Sequence, residues 1–338
     1  MAGAAPTFWQ GRGWRAALLL PLSGLFFLIS SLRRLAYRQG WLASRRAPVP
    51  VVVVGNIAVG GSGKTPVVAW LARQLRDQGF EPGVVSRGYG RGDEAVRLVA
   101  PDDRAEQVGD EPLLLARLTG CPVAVGRDRP AAVDALLAAA PGVDVILCDD
   151  GLQHLALGRT VEVVVVDEAV LGNRWLLPAG PLREPVGRLR SVDLVLLHGP
   201  VSAALSARLA GVPSAPMRLT GELFESLADR HVRRTATDFA GGRVHAVAGI
   251  GRPQRFFDQL RALGLEVVPH PFPDHHAFTA ADLAFAPGEP ILLTDKDAVK
   301  CAPFAPADTW VFPVSADIPE AALQPILEKL KPHGRQAA

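Results

Sequence analysis

The stretch Gly60-Gly61-Ser62-Gly63-Lys64-Thr65 has residue types and spacing that most directly specify chemistry in this chain. Backbone N–H groups of a glycine-rich turn converge on anions, and a helix starting there adds its positive end. Lys64 is placed to reach the β- and γ-phosphates of a nucleotide, and the Thr65 hydroxyl to hold Mg²⁺. Ala58 stands where the phosphate-loop pattern has glycine, and Gly60, Gly61 and Gly63 supply the backbone freedom instead. The expectation is a nucleoside triphosphate site formed by Ala58, Val59, Gly60, Gly61, Ser62, Gly63, Lys64 and Thr65, with cleavage or transfer of the γ-phosphoryl group.

The apolar run Val143–Cys148 ends in Asp149-Asp150. Mg²⁺ takes oxygen ligands, often one or two carboxylates with phosphates and water. Carboxyl ends of parallel strands are where open α/β sheets bind ligands. Asp149 and Asp150 are therefore candidate metal residues alongside Thr65, with the direct ligand left open between them. Asp110, in Gly109-Asp110-Glu111-Pro112, reads equally as a helix N-cap and as a base that takes a proton from a hydroxyl nucleophile. Asp274-His275-His276 lies in a Pro-rich loop with no third ligand at zinc spacing. A histidine there either orients a carboxylate or is an ordinary loop residue. Arg183 and Arg87 sit in glycine-rich loops. Each suits neutralisation of a transferring phosphate or bidentate anion binding, or is a surface arginine.

Alternation of strand-like and helix-like segments must position these groups. Strands are expected at Val51–Val54, Gly83–Ser86, Pro122–Val125, Val143–Cys148, Val161–Val166 and Val192–Leu197, with helices at Pro66–Gln78, Glu111–Leu118 and Arg129–Ala140. Valine-rich runs that are apolar on both faces suit buried parallel strands. The pattern loosens after Gly199. It then resumes with strand Val244–Ala248, helix Arg252–Leu263, strands Leu265–Val268, Ile291–Thr294 and Trp310–Val314, and a closing helix at Glu320–Lys331. The fold class is α/β: a P-loop NTPase-type parallel-sheet domain and a second, smaller α/β domain, with an N-terminal membrane-associated helix. The expected divisions are 1–40, the membrane-associated helix; 41–212, the P-loop core; 213–240, a linker; and 241–338, the C-terminal α/β domain.

The chain has 338 residues, enough for two cores, and a net charge of +2. No dense Lys/Arg patch interleaves with aromatics, which excludes a nucleic-acid footprint. The three cysteines, Cys121, Cys148 and Cys301, are widely spaced and make neither a zinc pattern nor a disulfide framework. Ala16 to Leu32 is uncharged, with Arg12 and Arg15 before it and Arg33, Arg34 and Arg38 after it. A spanning helix needs about 20 apolar residues, and Pro21, Ser23 and Gly24 weaken this one. A surface anchor, with arginines meeting anionic head groups, is expected in preference to a signal peptide or a buried core helix.

Seven motifs in order resemble the tetraacyldisaccharide 4'-kinase family: Val59–Pro66, Ser86-Arg87-Gly88-Tyr89-Gly90, Gly109–Pro112, Asp149-Asp150-Gly151-Leu152-Gln153-His154, Ala179–Glu184, Asp274-His275 and Thr294–Lys300. The resemblance implies ATP- and Mg²⁺-dependent phosphorylation of the 4'-hydroxyl of a tetraacylated glucosamine disaccharide 1-phosphate, giving lipid IVA. It implies a monotopic enzyme on the cytoplasmic face of the bacterial inner membrane, and a monomer is expected. It makes Asp110 the catalytic base paired with His275, and puts Arg183 near the transferred phosphate. Lys64 holds ATP phosphates, Thr65 and Asp149 or Asp150 serve Mg²⁺, and Gln153 joins the nucleotide site. Tyr89, Glu111 and His154 are implied as supporting residues. Ser62 and Asp295 stand where the family often has Thr and usually Glu, which leaves a role for Asp295 open. The phosphate loop also resembles that of partitioning and cell-division-site ATPases, but those carry lysine where Val59 stands.

Overall fold

The computed structural model describes residues 6–285 and 288–331. Strands β1 (Val51–Gly55), β2 (Pro82–Ser86), β3 (Arg97–Leu98), β4 (Val123–Val125), β5 (Val145–Asp149), β6 (Val161–Val166), β7 (Leu194–His198) and β8 (Ser214–Thr220) all belong to one sheet. A second sheet is formed by β9 (Phe224–Ser226), β10 (Arg233–Arg234), β11 (Arg243–Ala248), β12 (Glu266–Pro271), β13 (Ile291–Thr294) and β14 (Thr309–Phe312). The last strand, β15 (Ser315–Asp317), returns to the first sheet, whose order is β15-β8-β7-β6-β1-β5-β2-β4-β3.

β1 lies in the middle of the first sheet and pairs in parallel with β5 and β6. All five of its residues are buried, because helices cover both faces. One face packs on helix Lys64–Asp77 through Val67, Val68, Leu71 and Leu75, and the other on helix Arg129–Ala139 through Ala132, Val133 and Leu136. The register Val54↔Asp149 brings the end of β5 beside the strand that feeds the phosphate loop. The second sheet is parallel through β12-β11-β13-β14 and antiparallel at β9 and β10.

The stretch 213–240, expected as a linker, contains β8 of the first sheet and β9 and β10 of the second. The segment expected to end the second domain instead recrosses. β15 pairs antiparallel with β8, and Ala322, Leu323, Ile326, Leu327 and Leu330 enter the core around helix Lys64–Asp77. β8 was hard to read because it is near an edge, exposes alternate residues and contains Pro216.

Helix Leu20–Arg38 lies on the first body with Ser23 as its buried residue. The Ser23 hydroxyl donates to Leu176 O at 2.9 Å and accepts from Ala179 N at 3.1 Å. Leu22, Leu25, Leu28, Ile29 and Leu32 are exposed, so this is not a core helix. Among the described residues no helix is long and apolar enough to cross a membrane.

Close packing at the sheet ends sets a stability expectation. A Cβ at Gly55 would lie 2.6 Å from Leu152 Cβ and 3.2 Å from Leu152 N, whereas one at Gly142 meets nothing within 4 Å. Gly55→Ala is expected to lower unfolding free energy by about 1–3 kcal/mol, and Gly142→Ala to stay within about 0.5 kcal/mol of the parent. Urea denaturation of both variants checks the contrast.

Candidate active site

The phosphate loop leaves β1 at Gly55 and enters helix Lys64–Asp77 at Gly63, whose φ of +88° is left-handed. A side chain at Gly63 would also press on Met217 Cε, 2.9 Å from its Cβ position, so glycine is required twice over. Asn56 Nδ2 donates to Gly60 O and Ser62 Oγ, each at 3.2 Å. Ala58 is buried and bridges Leu182, Val59 N donates to Pro181 O at 2.9 Å, and Arg183 N donates to Ile57 O at 2.8 Å. The loop Ala179–Glu184 thus braces the phosphate loop from one side. Across the cleft, the Cβ position of Gly251 lies 3.1 Å from Gly61 N. Lys64 and Thr65 open the helix, and no acidic residue occupies its first turn, which keeps the helix's positive end free for an anion.

Asp149 and Asp150 have different surroundings. Asp149, at the end of β5, is 1% exposed; its Oδ2 accepts from Ser86 Oγ at 3.1 Å, while Oδ1 is buried without a partner. Burial, then the charges of Glu111 and Asp150, push its carboxyl well above the usual range. Asp150, with φ of +45°, turns toward the cations. Lys64 Nζ is 3.5 Å from Oδ1, and Arg183 Nη1 is 3.4 and 3.2 Å from Oδ1 and Oδ2. Burial would raise Asp150, but Lys64 and Arg183 outweigh it and lower it. An orphaned buried carboxylate oxygen beside a second carboxylate fits a hard divalent cation. Among the described residues no group of three or more His, Cys, Asp or Glu could hold a metal alone.

Gln153 touches the start of the phosphate loop at Asn56. It ties the surroundings together: Nε2 donates to Asn56 O at 3.0 Å and Glu184 Oε1 at 2.8 Å, and Oε1 accepts from Arg183 at 3.2 Å. Glu184 also meets Arg34 of the N-terminal helix at 3.1 Å. His154 is pushed down to about 4 by burial and by Arg129 and Arg159, which keeps its ring neutral at neutral pH. Arg87 is exposed, and Asp295 is buried against Arg230 at 3.2 Å.

The remaining groups lie where the second body meets the first. His275 Nδ1 lies 3.0 Å from Asp110 Oδ2, although the residues are 165 positions apart. Asp110 Oδ1 accepts from Glu111 N at 2.9 Å, as a helix-start residue does. The cap position itself is Gly109, with no side-chain cap bond, so Asp110 is the first helical residue and not the N-cap that one sequence reading made it. Burial alone would raise Asp110; the His275 hydrogen bond and the Lys296 charge overcome it and hold the carboxylate at about 2. The Asp110 hydrogen bond raises His275 against burial. The Tyr89 ring lies 4.9 Å from the His275 ring, centroid to centroid. Lys296, which sequence reasoning did not single out, reaches Glu111 at 3.1 Å and Asp274 at 3.3 Å. Glu184 and Asn56 were missed likewise. All three lie in or beside the quoted motifs, but their partners are distant in sequence.

A family model described as LpxK, tetraacyldisaccharide-1-P 4'-kinase, matches residues 15–331. The chain is 64% identical over 338 residues to the tetraacyldisaccharide 4'-kinase of Aromatoleum aromaticum, covering all of both chains. It is 64% identical over 334 residues to that of Azoarcus sp., covering 99% of this chain and 97% of the relative. The crystal structure of "apo" form LpxK from Aquifex aeolicus in complex with ATP is similar at a TM-score of 0.78 and 28% identity, covering 94% of this chain and 99% of that one. The chain belongs to the tetraacyldisaccharide 4'-kinase family, the kinases of lipid A biosynthesis.

Proposed function

We propose that this chain transfers the γ-phosphoryl group of ATP to the 4'-hydroxyl of a tetraacylated glucosamine disaccharide 1-phosphate, giving lipid IVA, with Asp110 as the base. The Asp110–His275 contact across the cleft, beside the phosphate loop, carries this assignment. A carboxylate held at about 2 is a weak base. It suits a transition state with little bond formation, in which the carboxylate orients the hydroxyl and receives its proton late. Lys64, Arg183 and the N–H groups of Gly60–Thr65 take up phosphate charge, while Ser62, Val59 and Ala58 hold the loop's shape. Mg²⁺, held by Thr65 and Asp149 or Asp150 with the nucleotide, would neutralise phosphate oxygens. Gln153 fixes Arg183 and Glu184 around them. Closure of the two bodies excludes water that would otherwise compete with the sugar hydroxyl.

The exposed apolar face of helix Leu20–Arg38 supports approach to a lipid substrate from the membrane surface. Arg33 donates to Gln153 O at 3.2 Å, so this helix adjoins the site it would deliver lipid to. The proposed setting is peripheral, as a monomer on the cytoplasmic face of the inner membrane, where ATP is available. No nucleic-acid partner is proposed.

Asp110→Asn should reduce lipid phosphorylation by about 10²–10⁴-fold with nucleotide affinity retained by calorimetry. Unchanged turnover would remove Asp110 from the chemistry. Asp149 binds more protons folded than unfolded once the pH exceeds the ordinary carboxylate range, so its ionisation costs stability as pH rises toward its elevated value. Asp149→Asn is therefore expected to raise the unfolding temperature of the nucleotide-free protein at neutral pH while turnover falls about 10²-fold or more. Scanning calorimetry and γ-phosphate transfer together test this opposition. The double variant Leu25→Glu, Ile29→Glu should lose flotation with anionic vesicles at unchanged thermal stability, since both side chains are exposed; flotation equal to the parent counts against the membrane reading.

A further inference from the structure

We infer that Lys296 is a positioning residue which holds His275 as the neutral Nδ1–H tautomer, so that the histidine donates to Asp110 and leaves that carboxylate an ionised base. The inference rests on Asp110 being the base proposed above.

Lys296 is the second residue of helix Asp295–Cys301, capped by Thr294, whose hydroxyl accepts from Asp297 N. The helix is pinned to the first body by Val299, packed among Val108, Leu113, Leu114 and Val125. That packing delivers the Lys296 ammonium into the cleft, 3.1 Å from Glu111 Oε1, 3.3 Å from Asp274 Oδ1, 3.9 Å from Asp110 Oδ2 and 3.3 Å from His275 Nε2. The groups facing His275 are then Asp110 at Nδ1, Lys296 and, at 3.9 Å, Asp274 at Nε2, and the Tyr89 ring on its flank. Lys300 adds a more distant positive charge at Asp110.

An ammonium has donors and no acceptor. Its contact with Nε2 is a hydrogen bond when Nε2 carries a lone pair, and a clash of donors when Nε2 carries a proton. The Asp110 hydrogen bond raises His275 on balance, against burial and Lys296, so it is the contact of Nε2 with an ammonium, which only a lone pair can accept, that selects the neutral ring. Lys296 itself keeps its proton firmly: burial would lower it, but Glu111, Asp110 and Asp274 raise it well above its ordinary value. Of the two groups sharing the 3.3 Å contact, the lysine therefore holds the proton and Nε2 accepts. The remaining imidazole proton is then on Nδ1, pointed at Asp110 Oδ2. Glu111 and Asp110 come from one body and Asp274, His275 and Lys296 from the other, so the tautomer is set where the bodies meet.

The tautomer can be read without turnover. Selective ¹⁵N-histidine labelling of the full chain, with the His275 signals identified by their loss in His275→Gln, should show a protonated Nδ1 and an unprotonated Nε2 at neutral pH. An Nε2–H tautomer or an imidazolium overturns the proposal. Lys296→Met removes a positive charge from both His275 and Asp110, which raises both and moves the acid limb of the kcat/KM profile to higher pH by about one unit. Lys296→Arg should return the limb toward the parent position. A Met variant that folds and keeps the parent limb also overturns the proposal; a Met variant that does not fold leaves the parent tautomer and the Arg profile to decide it. An Asp110→Asn enzyme that still phosphorylates lipid would sink the base assignment while leaving the tautomer result intact.

Discussion

The charge cluster formed by Asp110, Glu111, Asp274, His275 and Lys296 is the constraint on which the rest depends. Ionised groups removed from water must be paired, and neither body pairs its own members fully. Among the described residues Asp110 and Glu111 both find their lysine in Lys296, which also has Asp274 nearby, its Glu111 contact being the shorter. The apolar contacts of Val299 with Val108, Leu113 and Leu114 supply non-directional attraction, and the charges supply register. The same closure brings Asp110 Oδ2 within 3.0 Å of His275 Nδ1.

The opposite wall obeys the same rule with a different solution. The phosphate loop presents N–H donors that need an anion, so its carbonyls and side chains are satisfied from behind. Asn56 takes Gly60 and Ser62, and His198 Nδ1 lies 3.1 Å from Ser62 O. His198 is kept neutral by burial and by Arg255, which lets its ring approach that guanidinium at 3.2 Å. Arg255 and Arg252 both donate to the buried Asp167 at 2.8 and 2.6 Å. The second body therefore grips the first at both ends of the cleft, beside Asp110 and behind the phosphate loop.

The N-terminal helix is joined to this frame by polar contacts and not by its apolar side chains. Ser23 holds it to the loop at Leu176–Ala179, and Arg34 and Arg33 reach Glu184 and Gln153 O. Its leucines Leu22, Leu25, Leu28 and Leu32 stay outward and exposed. Glu184 and Gln153 in turn hold Arg183 against Asp150. A continuous polar path thus runs from the apolar helix to the phosphate site.

The sequence by itself determined what depends on neighbours along the chain. The valine run of β1, the glycine turn and Lys64-Thr65 specify strand, loop and helix locally, so the phosphate cradle was legible, as were the buried parallel strands and the ordered motifs that carry the family resemblance. Asp149 and Asp150 were legible as a pair but not as individuals. Their difference arises from the left-handed turn at Asp150 and from Ser86, Lys64 and Arg183 supplied by other strands and loops. Only the tertiary structure decided that Asp110 meets His275, that Lys296 stands on the far side of the histidine ring, and that β15 returns to the first sheet. The reason is physical: pairing of buried charges and closure of a sheet edge are satisfied by whichever group the fold brings near, and nothing in the local pattern of either partner records its distance from the other.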